Sequence, residues 1–177
     1  MTRLNCPISV CEMILLLASL IVTAGGCSTA THSAQFQPNF VSPADTRIEI
    51  GPVTSQAEDK GGVDPAKRLA DALRETLERD RLLLPQGTRT DHLILTTTIL
   101  EYEEGYWFFK GLLPGSVTVL SVHGDLKDSA SGTVVGSVDV RRTIGFYHPF
   151  AFGSYARIFG TVSKDIVTEL RPGIEKR

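Results

Sequence analysis

The clearest chemistry in this sequence is at Cys27, which follows three small residues, Ala24-Gly25-Gly26. Small side chains ahead of a cysteine suit cleavage there, and the site reads as one for lipid anchoring. The apolar run from Ile14 to Val22 is too short to span a bilayer, which takes about 20 apolar residues. With Arg3 before it and small residues after it, the run has the layout of a removable export signal, so the mature chain is expected to begin at Cys27. An ordinary cleaved signal would instead release a freely soluble protein, and Glu12 beside the run is the residue that fits least well.

Catalytic chemistry is harder to assemble. The sequence has no Gly-x-Ser-x-Gly, no phosphate-binding glycine loop ending in Lys-Ser or Lys-Thr, and no His-Glu-x-x-His. A hydrolase would need His123 or His148 as base, Ser121 or Ser154 as nucleophile and Asp125 or Asp139 as orienting carboxylate. His123 and Asp125 fall on one side of a strand and can meet, but a shared face is also what any half-buried strand histidine has. Glu101, Glu103 and Glu104 lack a second acidic cluster to face them across a glycosidic bond. The expectation is therefore no catalytic site. The histidines are isolated and nothing has ligand spacing, so no metal and no cofactor is expected either.

Two aromatic segments are the better candidates for contact. Tyr106-Trp107-Phe108-Phe109, followed by Leu112-Leu113, lies between two strands, where a bare hairpin would carry small polar residues. Phe146, Tyr147, Phe150 and Phe152 precede the last helix, with Pro149 and Gly153 shaping the backbone around them. So much apolar surface needs a cover: the domain's own core, another protein or the lipid surface. Docking on an envelope protein partner is the expectation taken from these eight residues, because aromatic side chains are enriched at interfaces. Residues 103–115 are too few for a membrane-crossing hairpin, whose strands take about 9–11 residues each.

The elements that must position these residues follow from periodicity. Residues 28–45 are rich in Ser, Thr, Gln, Asn and Pro, a composition that reads as a flexible tether. Arg47 to Ile50 reads as a first strand ended by Gly51-Pro52. Asp64 is a helix cap with Pro65 at the first helical position, and Ala66, Leu69, Ala70, Leu73 and Leu77 form an apolar stripe. His92 to Tyr102 is a β-branched strand. Ser116 to Leu126 and Thr133 to Thr143 form a hairpin around Asp128-Ser129-Ala130-Ser131-Gly132. Tyr155, Ile158, Phe159, Val162, Ile166, Val167 and Leu170 mark a final helix stopped by Pro172-Gly173. The expected organisation is a signal over 1–26, the cysteine and tether over 27–45, and one α+β domain over 46–177. Its order is strand, helix, three strands, helix, in two layers, with both helices on one face of a mainly antiparallel sheet.

Charge excludes one class of partner. With 18 Lys and Arg against 20 Asp and Glu, the chain carries a net charge of −2, which gives nucleic acid no electrostatic footing. Arg141-Arg142 is a basic doublet of the folded region, and in a strand its side chains point to opposite faces, so it makes no patch. Cys6 and Cys11 lie inside the signal, so an acylated Cys27 leaves no thiol for a disulfide.

Ala24-Gly25-Gly26-Cys27 resembles the bacterial lipoprotein box, with Ala24 where that box usually has leucine. The resemblance implies acylation of Cys27 on its thiol and amine, and Ser28 rather than aspartate after it implies the outer membrane. Ile99 to Gly105, the hydrophobic insert ending in Gly115, Leu126-Lys127-Asp128 through Ser131-Gly132 and Val135-Gly136 resemble an uncharacterised bacterial lipoprotein family defined by a domain of unknown function. That family is similar to small helix-on-sheet modules of envelope assemblies, including the periplasmic part of the curli secretion lipoprotein. The segment from Gly145 to Gly153 departs from the Gly-rich run usual there. The resemblance implies a non-catalytic, lipid-anchored component of an envelope assembly facing the periplasm. A ligand-binding or transport-accessory role is the second expectation and a periplasmic hydrolase the third.

Overall fold

The computed structural model describes residues 28–42, 45–57, 64–85, 91–103, 117–145 and 154–175. Five strands and two helices follow in the order β1 (Ser28–Phe36), β2 (Ile48–Ser55), α1 (Pro65–Arg79), β3 (Leu93–Glu103), β4 (Val117–Asp128), β5 (Val134–Gly145) and α2 (Ser154–Ile174). The sheet order is β1-β5-β4-β3-β2. β2 runs parallel to β3 and every other neighbouring pair is antiparallel, so the sheet is mixed.

The α+β class holds, and three elements correct the expected layout. Ser28–Phe36 is an edge strand paired residue for residue with β5, from Ser28 against Ile144 to Phe36 against Gly136, and not a flexible tether. β2 does not stop at Gly51-Pro52; its register shifts there and pairing resumes from Val53. A bulge absorbs the missing proline N–H without ending the strand. The last helix runs through Pro172 to Ile174, because a proline in the final turn forfeits one hydrogen bond and the Glu175 amide still donates to the Arg171 carbonyl at 2.9 Å.

Local chemistry explains the elements that match expectation. The Asp64 carboxylate accepts from the Ala66 and Lys67 amides at 3.0 and 3.1 Å, satisfying donors that the first helical turn leaves open. At the β4–β5 hairpin the Asp128 carboxylate does the same for Ala130 and Ser131, at 2.7 and 3.0 Å, before Gly132 turns the chain with φ 68°.

Alternation along the strands sets the two faces. Leu93, Leu95, Thr97 and Ile99 of β3, Leu120, Val122 and Leu126 of β4, and Val138 and Val140 of β5 are buried. They meet Leu69, Leu73 and Leu77 of α1 and Ile158, Phe159, Val162, Ile166 and Leu170 of α2 in one core. The helices also touch each other, where the Thr76 and Ser163 hydroxyls share a buried 2.8 Å hydrogen bond. No helix among the described residues is long and apolar enough to cross a membrane.

Candidate functional site

Strand β1 fixes the geometry that matters most. Its first residue directly follows Cys27, and it stands next to β5, whose far end, Gly145, pairs with Val117 of β4. β3 ends at Glu103 beside Val119, and β2 ends at Ser55 beside Ile99. One end of the sheet therefore gathers Ser28, Ser55, Glu103, Val117 and Gly145, and α2 starts at Ser154 after β5. Phe36, Ile48, Leu93, Asp128 and Val134 lie at the opposite end.

β1 carries little apolar surface of its own, so specific contacts hold it. Near its start, Arg142 Nη1 donates to Ser28 Oγ at 3.3 Å, while the same guanidinium forks onto Asp165 of α2, with Nε to Oδ2 at 3.0 Å and Nη2 to Oδ1 at 3.1 Å. Midway, His32 Nδ1 lies 3.0 Å from the Glu169 carboxylate. At its end Phe36 stacks on Phe40, ring centroids 6.2 Å apart, and presses onto Gly136 and Gly173.

The helix-free face of the sheet holds the polar cluster built around His123. Its Nδ1 is 2.7 Å from Asp139 Oδ1 across the β4–β5 pairing, and its Nε2 is 3.4 Å from Asp125 Oδ1 along its own strand. His123 thus does meet Asp125, but Asp139 is the closer partner. Both ring nitrogens face carboxylates, so neither is directed at Ser121. The hydrogen bond that the imidazolium Nδ1–H donates to Asp139 raises the pKa of His123 above its ordinary 6.5, against the opposing effect of burial, and the charges of Asp139 and Asp125 add to the rise.

A folded-state value above the unfolded one means stabilisation that is complete below about pH 6.5 and is lost as pH rises through the folded value. Because the cluster is largely exposed, the effect is below about 1 kcal/mol. We expect the urea midpoint of the wild type to fall over this interval more than that of His123→Gln. Parallel curves for the two proteins would remove His123 from the pH dependence.

Arg141 and Arg142 separate as strand neighbours must. Arg141 pairs with Glu101 on the open face at 3.1 Å, and Arg142 turns inward to Asp165. Glu101 is therefore an ion-pair partner rather than half of a carboxylate pair. Among the described residues no group of His, Cys, Asp and Glu could hold a metal ion. An open cavity of about 280 Å³ lies at the end opposite Ser28, lined by polar residues such as Gln37, Asn39, Asp91, His92 and Asp128 together with Phe40.

Cys27 and the eight aromatic candidates, Tyr106, Trp107, Phe108, Phe109, Phe146, Tyr147, Phe150 and Phe152, lie outside the described residues, as do Glu104 and His148. Residues 104–116 leave from Glu103 and return at Val117, and residues 146–153 leave from Gly145 and return at Ser154. All four points belong to the end of the sheet at which β1 begins. That β1 begins at this same end follows from its being a strand, which the sequence reading took for a tether.

A solved structure shares this fold, and others align more loosely. PelC from Paraburkholderia phytofirmans, a dodecamer, aligns with a TM-score of 0.58 at 16% identity over 84% of this chain and 100% of its own. A Xanthomonas campestris protein of a family of unknown function, DUF330, aligns at 0.46, with 14% identity over 76% of this chain and 86% of its own. A minor lipoprotein from Acinetobacter baumannii aligns at 0.40, with 13% identity over 75% of this chain and 94% of its own. The PelC alignment establishes a common fold. No protein-family model and no curated protein sequence matches the chain.

Proposed function

We propose that this chain is a non-catalytic lipoprotein, held at the outer membrane through Cys27 and facing the periplasm, that acts as a subunit of an envelope assembly. The observation that carries the proposal is the start of β1 at Ser28. A strand built into the sheet directly after Cys27 makes the anchor part of the domain's own geometry, as a component positioned at a membrane surface requires. The fold shared with PelC, itself a dodecamer, supports assembly with other copies or other proteins. Ser28 in place of aspartate supports the outer membrane, as the lipoprotein box implies. The His123 cluster supports a structural reading, since a histidine held by carboxylates on both nitrogens has no free nitrogen to deprotonate a nucleophile.

The test is extraction of the full chain from membranes. Wild type should require detergent and run as a multi-subunit or hetero-complex by light scattering, and Cys27→Ser should stay unprocessed or become soluble. A detergent-extracted monomer without associated protein would reject the assembly role. A freely soluble wild type would reject the anchor.

A further inference from the structure

We infer that the outer edge of β1 is a docking edge for a second copy of this chain, the two β1 strands pairing antiparallel about a two-fold axis so that two five-stranded sheets become one. This rests on the proposed assembly role and names the contact through which copies join.

The two edges of the sheet are built differently. β2 is closed against further pairing: the Ile48 amide donates to the Leu82 carbonyl at 2.7 Å, the Leu84 amide donates to the Ile48 carbonyl at 2.9 Å, and the register breaks between Ile50 and Val53, where Pro52 has no N–H to offer. β1 has none of these devices. It runs nine residues, pairs with β5 without a register shift, contains no proline and no Asp, Glu, Lys or Arg, and is mostly exposed. The direction of its main-chain groups follows from the register. The Gln37 amide donates to the Val135 carbonyl at 2.9 Å, one step beyond the pairing of Phe36 with Gly136, so the odd-numbered residues bond to β5. The N–H and C=O groups of Ser28, Ala30, His32, Ala34 and Phe36 therefore point away from the sheet, and among the described residues no strand meets them.

Composition then selects the occupant. His32 reaches Glu169 and Phe36 reaches Gly173, so the even-numbered side chains lie on the helix face and Thr29, Thr31, Ser33 and Gln35 lie on the open face. A strongly charged strand would find no opposite charge along this edge. The strand that matches it is β1 itself. Antiparallel pairing centred on His32 sets Ala30 against Ala34 of the second copy, Thr31 against Ser33 and Thr29 against Gln35. Residues with outward groups then meet their own kind at every step, and each exchanges two main-chain hydrogen bonds with its counterpart, about ten in all. Hydroxyl groups fall opposite one another on the open face and alanines on the helix face, so neither face brings bulk or like charge together. The one titratable pair, His32 with His32, is flanked by the two Glu169 carboxylates.

Proline separates the joint from the domain. At Ala30 or Ala34 it removes a donor that points away from β5, whereas at Ser33 it would remove one that bonds to β5. The full chain, extracted in detergent, should sediment as a dimer or a multiple of one at micromolar concentration, with the Ala30, His32 and Ala34 amides protected from hydrogen exchange. Ala30→Pro and Ala34→Pro should each raise the dimer dissociation constant by about tenfold or more and expose the remaining outward amides, while keeping the circular dichroism of the folded domain. Thr31→Lys blunts the edge without touching a main-chain donor and should do the same, which keeps the test decisive if a proline variant fails to fold. A monomer with fast-exchanging outward amides and no associated protein would overturn the inference together with the assembly role. An oligomer whose mass is unchanged in folded Ala30→Pro and Thr31→Lys proteins would overturn the inference and leave the assembly role standing through another surface. A complex with a different protein that these variants dissolve would overturn the second copy as occupant in favour of a foreign strand.

Discussion

Asp165→Ala should lower the stability of the domain by about 2–4 kcal/mol, while Glu101→Ala changes it by no more than about 0.5 kcal/mol. The two carboxylates serve neighbouring arginines of one strand, so the comparison isolates environment from chemistry. Arg142 and Asp165 side chains are 20% and 16% exposed, and their two parallel hydrogen bonds join β5 to α2. Removing the carboxylate leaves a guanidinium in a pocket that water reaches poorly, with Ser28 Oγ as its remaining partner. Arg141 and Glu101 are 52% and 38% exposed, so water replaces whichever partner is lost.

A domain stability of 5–15 kcal/mol makes the first loss a large share of the total. The measurement is the urea midpoint at unchanged m-value. Arg142→Met combined with Asp165→Leu should recover most of the loss, because an apolar pair of similar volume avoids burying charge. Equal effects of Asp165→Ala and Glu101→Ala would mean that the inward pair contributes no more than a surface one. The strand start that Arg142 touches is Ser28, so the same change is expected to loosen that end of β1 first.

Much of this fold was legible because its signals are local. Asp64-Pro65 announces a helix through donors that lie within two or three residues, and Asp128 to Gly132 announces a hairpin in the same way. Opposite faces for Arg141 and Arg142 follow from strand period alone. β1 was not legible for the converse reason. Thr29, Thr31, Ser33 and Gln35 alternate with Ala30, His32, Ala34 and Phe36, a period-two signal, but polar composition made the segment look unable to order itself. It orders because β5, more than 100 residues away, offers a complete edge. The Pro172-Gly173 pair misled similarly: its local meaning is a helix stop, while its tertiary meaning is a smooth place for Phe36. The candidate contact residues were found by type alone, and only the strand ends that bound their segments belong to the described fold.

That smooth place yields the second large effect. Phe36 closes β1 by packing onto two glycines, and a Cβ added to Gly136 would come within 2.7 Å of its Cδ1, while one added to Gly173 would overlap the ring itself. Gly173→Ala should cost about 1–3 kcal/mol through overpacking, although alanine is a better helix residue than glycine by about 1 kcal/mol. The opposing signs give the test its force. In a Phe36→Ala background the overlap is gone, only the helix preference remains, and Gly173→Ala should become neutral or stabilising. If the cost of Gly173→Ala is the same in both backgrounds, Phe36 is not its cause. Amide exchange along β1 should accelerate in the single variant, starting at the Phe36 end, because the wedge is what closes that end against α2. A released β1 would turn nine paired residues into a tether of about 30 Å, at about 3.3 Å each.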